Sequence, residues 1–201
     1  IEELKIITCH LGNGSSITAV DKGIAIDTSM GFTPQEGLPM GTRSGSVDPT
    51  VIPYIMKAEN LSADEIEDLL NRKSGLLGIS GISNDCRQIA QAALDGNYRA
   101  QLAQKILYNS IKKIIGSYIA ELNGIDALVF TAGIGENDYD LREAVCENMD
   151  FFGIAINKEL NNGLKGVEKD ISADGARVKT LVIPTNEEYM IALDTLKFCK
   201  E

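Results

Sequence analysis

Arg43 is the one charged residue between Glu36 and Asp48, and glycines frame it in Gly41-Thr42-Arg43-Ser44-Gly45. A guanidinium offers five donors in a rigid fork that matches phosphoryl or carboxylate oxygens, which is chemistry a long glycine-rich loop can position. The alternative is a surface arginine in a salt bridge. His10-Leu11-Gly12-Asn13-Gly14, leading into Ser15 and Ser16, reads as a turn whose N–H groups can converge on an anion, or as an ordinary hairpin turn. His10 is the chain's only histidine, a second candidate for catalysis or simply a packed imidazole. Ala132-Gly133-Ile134-Gly135-Glu136-Asn137 follows the apolar run Leu128–Thr131. A strand ending in closely spaced glycines lets backbone approach a flat or charged ligand, because Gly133 and Gly135 have no Cβ to hold it away and can adopt positive φ at little steric cost. Asp85 and Arg87 stand at a helix start, where an acid equally serves the first turn. Glu187 and Glu188 follow Pro184-Thr185-Asn186 at another helix start, where a carboxylate serves the dipole or reaches Mg2+ beside a nucleotide. Lys112 and Lys113 read as solvated.

These residues must be held by an α/β framework. Leu4–Thr8 reads as a buried strand, and Ser16–Val20 with Ile24–Asp27 as a hairpin turning at Asp21-Lys22-Gly23. Residues 29–48 form a long ordered loop, a length that is usually functional. Asp48-Pro49 opens a helix to Glu59, with Asp48 as N-cap, and the capping box Ser62-Ala63-Asp64-Glu65 opens another to Arg72. Gly78–Ser83 reads as a glycine–serine loop before a helix from Asn84 to Leu94. The longest helix, Tyr98–Leu122, repeats Leu102, Ile106, Ile111, Ile114, Ile115, Tyr118, Ile119 and Leu122 at spacings of three and four. Strand Ala127–Phe130, helix Asp140–Met149, a short segment at Ile154–Ile156, a polar loop, strand Val178–Ile183 and a helix Glu187–Lys200 complete the order. Three strands, a helical block and then β-α-β-α describe a mixed sheet covered by helices.

Composition narrows the class. With 201 residues, 44% of them apolar and 24% charged, the chain has material for one core, or a core and an appendage. A formal charge of −10 argues against nucleic acid, which demands a basic stripe. It does not forbid phosphate ligands in a local pocket. The four cysteines lack CxxC spacing and read as reduced thiols of a cytoplasmic protein. No apolar stretch reaches membrane-spanning length and no basic-then-apolar leader is present. The opening Ile1-Glu2-Glu3, without Met, reads as the start of a fragment, so residues upstream are expected.

His10–Gly14, Asp27–Ser29, Gly37-Leu38-Pro39-Met40-Gly41-Thr42-Arg43-Ser44-Gly45, Asp48-Pro49, Ser74-Gly75-Leu76-Leu77-Gly78, Thr131–Asn137 and Pro184–Glu188 together resemble the acetate/propionate kinase family, specifically its C-terminal portion. Each loop is weak alone, but their order and number are specific. The resemblance implies an actin-like ATPase fold built on a ribonuclease-H-like sheet, with nucleotide between two domains. It implies that residues 1–186 are the nucleotide-binding and dimerisation domain, and that a terminal helix within 187–201 packs on an N-terminal domain missing here. It further implies that His10, Leu11, Gly12, Asn13 and Gly14 meet the ATP phosphates, and that Asp85, Cys86 and Arg87 hold the adenosine with Gly133, Ile134, Gly135, Glu136 and Asn137. Arg43 would stabilise the transition state, Glu187 would belong to the Mg2+ site, and the protein would be a homodimer.

The implied reaction is attack of acetate on the γ-phosphoryl of ATP, giving acetyl phosphate and ADP reversibly. The missing half would carry a second arginine, the catalytic aspartate and most of the carboxylate pocket, leaving the fragment inactive. Two alternatives stand beside this reading: a propionate or butyrate kinase, and a non-catalytic actin-like nucleotide-binding module. Arg43 weighs against the module, because a mere binder has less use for a cation at the transferring phosphoryl.

Overall fold

Alternating apolar residues build the central strand. The computed structural model describes residues 3–199, so the first two and last two residues, including the expected helix end at Lys200, lie outside the described residues. In β1 (Lys5–Leu11), Ile7, Cys9 and Leu11 are buried on one face, while Ile6, Thr8 and His10 are half-buried on the other. The strand runs past the expected end at Thr8, which places His10 and Leu11 inside the ladder instead of beyond it. β2 (Ser15–Asp21) pairs antiparallel with β1, and β3 (Ile24–Thr28) antiparallel with β2. Lys22 and Gly23 turn between the latter two with φ of 54° and 80°, the positive pair that a two-residue hairpin turn requires.

β4 (Ala127–Thr131) lies parallel to β1, with Ile7 opposite Leu128 and Cys9 opposite Phe130. β6 (Lys179–Val182) lies parallel to β4, and the sheet order is β3-β2-β1-β4-β6-β5. The edge strand β5 (Lys169–Asp170) was read from sequence only as polar loop. Asp170 fixes it, accepting from the Ser172 N–H and from Lys179 Nζ, contacts that hold its carboxyl at about 2.

The helices are α1 (Val51–Ala58), α2 (Ala63–Arg72), α3 (Gly75–Ser80), α4 (Cys86–Leu94), α5 (Tyr98–Glu121), α6 (Ala132–Asn137), α7 (Tyr139–Cys146), α8 (Lys158–Asn161) and α9 (Glu187–Phe198). The long loop between β3 and α1 is as expected. α5 lies across the core, but its buried seam runs through Ala100, Ala103, Leu107, Ile111, Ile115 and Tyr118. Leu102, Ile106 and Ile114 sit half-buried on its flanks, because small alanines let the helix approach α3 and α4 closely. Lys112 is not simply solvated: its Nζ donates to the Glu147 carbonyl at the end of α7.

Three expected boundaries move. Asp48 does not cap α1. Its carboxylate accepts from Thr50 N–H and Oγ1, closing a turn, and the helix begins at Val51. Much of the expected glycine–serine loop is α3, whose first N–H groups donate from Leu76 and Leu77 to the Met40 and Gly41 carbonyls. Tertiary partners thus hold a helix that its glycines would not hold alone. α7 ends at Cys146 instead of Met149.

The capping box of α2 is complete: Ser62 accepts from the Glu65 N–H, and the Glu65 carboxylate accepts from the Ser62 N–H. Ser62→Ala is expected to lower stability by about 1 kcal/mol, read as a shift of the urea midpoint at unchanged slope.

Candidate active site

β1, β4 and β6 run parallel, so their C-terminal ends share one edge of the sheet, the edge where ligands gather in open α/β sheets. Three of the candidate segments leave from there. The turn Gly12-Asn13-Gly14 follows β1, α6 follows β4, and Pro184–Glu187 follows β6. His10 is paired with Thr131 across the β1–β4 ladder, directly below the first two.

The loop carrying Arg43 is brought to the same edge. Gly41 donates its N–H to the Asn13 carbonyl, and a Cβ at Gly41 would lie 2.2 Å from Asn13 Oδ1. A side chain at Gly41 would have to displace the Asn13 amide, so glycine lets the two loops touch with Asn13 in place. Asn84 Nδ2 reaches Asn13 Oδ1 at 3.5 Å from a third segment. The Arg43 guanidinium reaches toward Gly14, its Nη1 3.5 Å from the position a Gly14 Cβ would take. That nitrogen donates to the Pro34 carbonyl at 3.2 Å, and no carboxylate pairs with Arg43 among the described residues. The surface salt bridge considered for it is not formed.

A hollow of about 670 Å³ adjoins Arg43, lined also by Thr42 and by Asp64, Glu67, Asp68, Asn71 and Arg72 of α2. Its carboxylates face Arg43 and Arg72, and Asp68 is paired with Arg72 and Lys73, so the hollow offers an anion no excess of positive charge. The convergent N–H groups expected of the turn are reduced in number. Gly12 N–H is already given to the Gly14 carbonyl at 3.1 Å, which leaves the guanidinium as the principal anion-seeking group on this chain's side.

Asp85, Cys86 and Arg87 open α4. Asp85 is its N-cap, accepting from Arg87 N–H at 2.9 Å, and Arg87 Nη2 also binds the carboxylate at 2.7 Å. The local helix-start reading of Asp85 is thus satisfied, while the Arg87 side chain, held by that pair, stays 91% exposed. The Cys86 thiol turns inward, lining a small cavity with Tyr108 and Asp138. Burial first, then the nearby carboxylates of Asp138 and Asp85, pushes it up to about 12. Only its backbone is presented outward. Asp138 follows α6, so the start of α4 and the end of α6 meet at this cavity.

The Ala132–Asn137 segment is a turn of helix, not an open loop. Neither glycine has positive φ; Ala132 does, at 63°, where strand β4 turns into α6. Its methyl faces Gly12 at 3.9 Å from where a Cβ would lie, an ordinary contact distance, so the cost of the position lies in the left-handed backbone itself. Nothing lies within 4 Å of a Cβ at Gly133, so its outer face is open, whereas Gly135 packs over Phe130 and Cys9. Asn137 Nδ2 returns to the Gly133 carbonyl at 2.8 Å.

Glu187 is the first residue of α9 and exposed, with Asn186 as N-cap. No group of three metal-ligating side chains is assembled among the described residues. Mg2+ bound by one carboxylate, nucleotide phosphates and water needs no such group, so Glu187 fits that kind of site.

Reading the sequence missed Asn84, Ala132 and Arg142. Arg142 is completely buried without a carboxylate salt bridge, donating to Asn161 Oδ1 at 2.8 Å, the Gly135 carbonyl at 2.7 Å and the Leu164 carbonyl at 2.8 Å. The run Leu141-Arg142-Glu143 looks like an exposed helical face, and only the partners disclose otherwise. All four cysteines are free, and no described helix is long and apolar enough to cross a membrane.

Comparison with known proteins agrees with this geometry. The acetokinase family profile matches residues 1–193. The chain is 58% identical over 201 residues to the acetate kinase of Caldanaerobacter subterraneus subsp. tengcongensis, covering all of this chain and 50% of that protein. It is 59% identical over 200 residues to the acetate kinase of Acetivibrio thermocellus, again 50% of that protein. The crystal structure of Porphyromonas gingivalis acetate kinase superposes with a TM-score of 0.95 at 50% identity, covering 98% of this chain and 49% of that one. A propionate kinase from Francisella tularensis superposes at 0.87 and 44% identity, covering 95% of this chain and 48% of that one. The chain spans about half the length of the curated relatives it matches. The sheet, with three antiparallel strands continued by two parallel ones, is the ribonuclease-H-like core of an actin-like ATPase fold. By sequence, sheet order and superposition alike, this chain belongs to the acetokinase family.

Proposed function

We propose that this chain is the C-terminal, nucleotide-binding half of a cytoplasmic, homodimeric acetate kinase that transfers the γ-phosphoryl group of ATP to acetate. The observation that carries the reading is Arg43, held beside the Gly14 turn with no carboxylate partner. Phosphoryl transfer asks chiefly for positioning and for neutralisation of charge on three equatorial oxygens. Arg43 can meet that charge as it spreads in the transition state, oriented beforehand by the Pro34 carbonyl. His10, in the ladder just below the turn, can donate to a phosphate oxygen. The Gly133 face and the exposed side chain of Arg87 can enclose a purine. Mg2+, when bound, would supply charge neutralisation across the phosphate oxygens, and Glu187 is the residue of this chain that would hold it.

The division at residue 186 finds support in α9. None of its residues is buried, and Met190, Ile191 and Leu196 are each more than half exposed. Apolar residues on every side of a helix call for a covering surface, and the half of the protein that lies outside this chain is the natural one. The acyl preference, acetate or propionate, is assigned to that other half.

The 201-residue chain alone is expected to bind ADP in calorimetry yet to give no steady-state turnover with ATP and acetate. Normal rates from this polypeptide would overturn the division of labour. Failure of the full-length protein to bind ADP would overturn the nucleotide reading.

A further inference from the structure

Glu136 was read as a residue that touches adenosine, but its carboxylate is already engaged. Oε1 accepts from the Thr185 N–H at 2.9 Å and from Thr185 Oγ1 at 3.2 Å. Thr185 lies immediately ahead of Asn186, the cap of α9, and two residues before Glu187. We propose that Glu136 is a positioning residue that latches the metal-bearing start of α9 to the nucleotide-bearing α6, and that it does not itself touch nucleotide or metal. The proposal rests on the nucleotide and Mg2+ reading given above.

Three features support a latch. First, α6 is a fixed anchor: its Gly135 carbonyl is held by buried Arg142, its Glu136 carbonyl accepts from the Gly166 N–H, and its Gly133 carbonyl is capped by Asn137. Second, within this chain, among the described residues, the start of α9 has few other contacts. The chain leaves the sheet at Ile183, whose N–H reaches the Phe130 carbonyl, and α9 then buries none of its residues. Third, the contact uses both donors of Thr185 on one carboxylate oxygen, which defines direction as well as distance. A carboxylate at Glu187 can serve a metal bridging nucleotide phosphates only if its place relative to α6 is set before binding.

The test uses the full-length protein and reads the Mg2+ concentration for half-maximal rate separately from the KM for acetate and the affinity for metal-free ADP. Glu136→Ala should raise the Mg2+ midpoint about tenfold and leave metal-free ADP affinity within twofold. Glu136→Gln keeps an oxygen that accepts both Thr185 donors and should restore the midpoint to within about twofold of wild type. A Gln variant as impaired as the Ala variant would mean the charge itself is used on a ligand, and would overturn the latch. So would an Ala variant that lowers the melting temperature with an unchanged Mg2+ midpoint. Wild-type protein that binds no ADP would instead overturn the nucleotide reading, and the latch with it.

Discussion

Arg43→Ala in the full-length protein is expected to lower kcat by about 10³-fold or more while ADP affinity stays within a few-fold. Size and selectivity follow from the same geometry. The guanidinium reaches the turn after β1 from a different loop, and among the described residues its only side-chain or backbone partners are the Pro34 carbonyl and the Met40 sulfur. Neither neutralises its charge. Such a cation interacts weakly with a ground-state phosphate still shared among metal and water, and more strongly as charge grows on the transferring group. Loss of Arg43 should therefore appear in kcat and kcat/KM together. Folding should change little, because the Pro34 contact is exposed. Arg43→Lys returns the charge without the planar fork and should recover only part of the lost rate. Intact turnover in Arg43→Ala would remove this residue from the mechanism.

What was legible in the sequence, and what was not, divides by range. The capping box at Ser62 and the hairpin at Lys22-Gly23 rest on contacts within four residues, so residue types alone disclose them. The apolar strands were legible along the chain because each is an apolar run, whereas the polar two-residue edge strand β5 reads as loop. The candidate loops were legible as glycine-rich interruptions. Their interior geometry was not: the positive φ falls on Ala132, a residue type that gives no sign of it, where β4 turns into α6. α3 looks like a loop because the carbonyls that hold its first turn belong to Met40 and Gly41, more than thirty residues earlier. The contact between Glu136 and Thr185 was not legible for the same reason, since the two residues are 49 apart. Arg43 was legible as chemistry because it stands without other charges in its loop, and among the described residues no carboxylate pairs with it, although Asp64, Glu67 and Asp68 line the hollow beside it.

Arg142→Met is expected to be the most destabilising single change at this site, by about 3 kcal/mol, or roughly 6–12 °C in the melting temperature of a chain this size. Burial pulls the guanidinium of Arg142 down from its ordinary range, and Asp138 only partly opposes that. The wild-type residue therefore carries a real desolvation cost, and a methionine of similar length would remove it. Against that gain, the substitution orphans the Gly135 carbonyl and Asn161 Oδ1, both in the interior, while the Leu164 carbonyl can still find water. An unsatisfied buried acceptor costs about 1–3 kcal/mol, so two of them outweigh the relief of the charge. Asn161 is itself fully buried and holds the Tyr139 carbonyl through Nδ2, so its loss of register would spread to the start of α7. Arg142→Lys should recover less than half, because one ammonium cannot reach three acceptors that a fork spans. Differential scanning calorimetry of the 201-residue chain with and without ADP measures both consequences. The melting point should fall, and the ADP-induced rise should shrink as Gly135 is released. A variant that melts within 2 °C of wild type would show that the buried arginine is dispensable and that α6 holds its shape unaided.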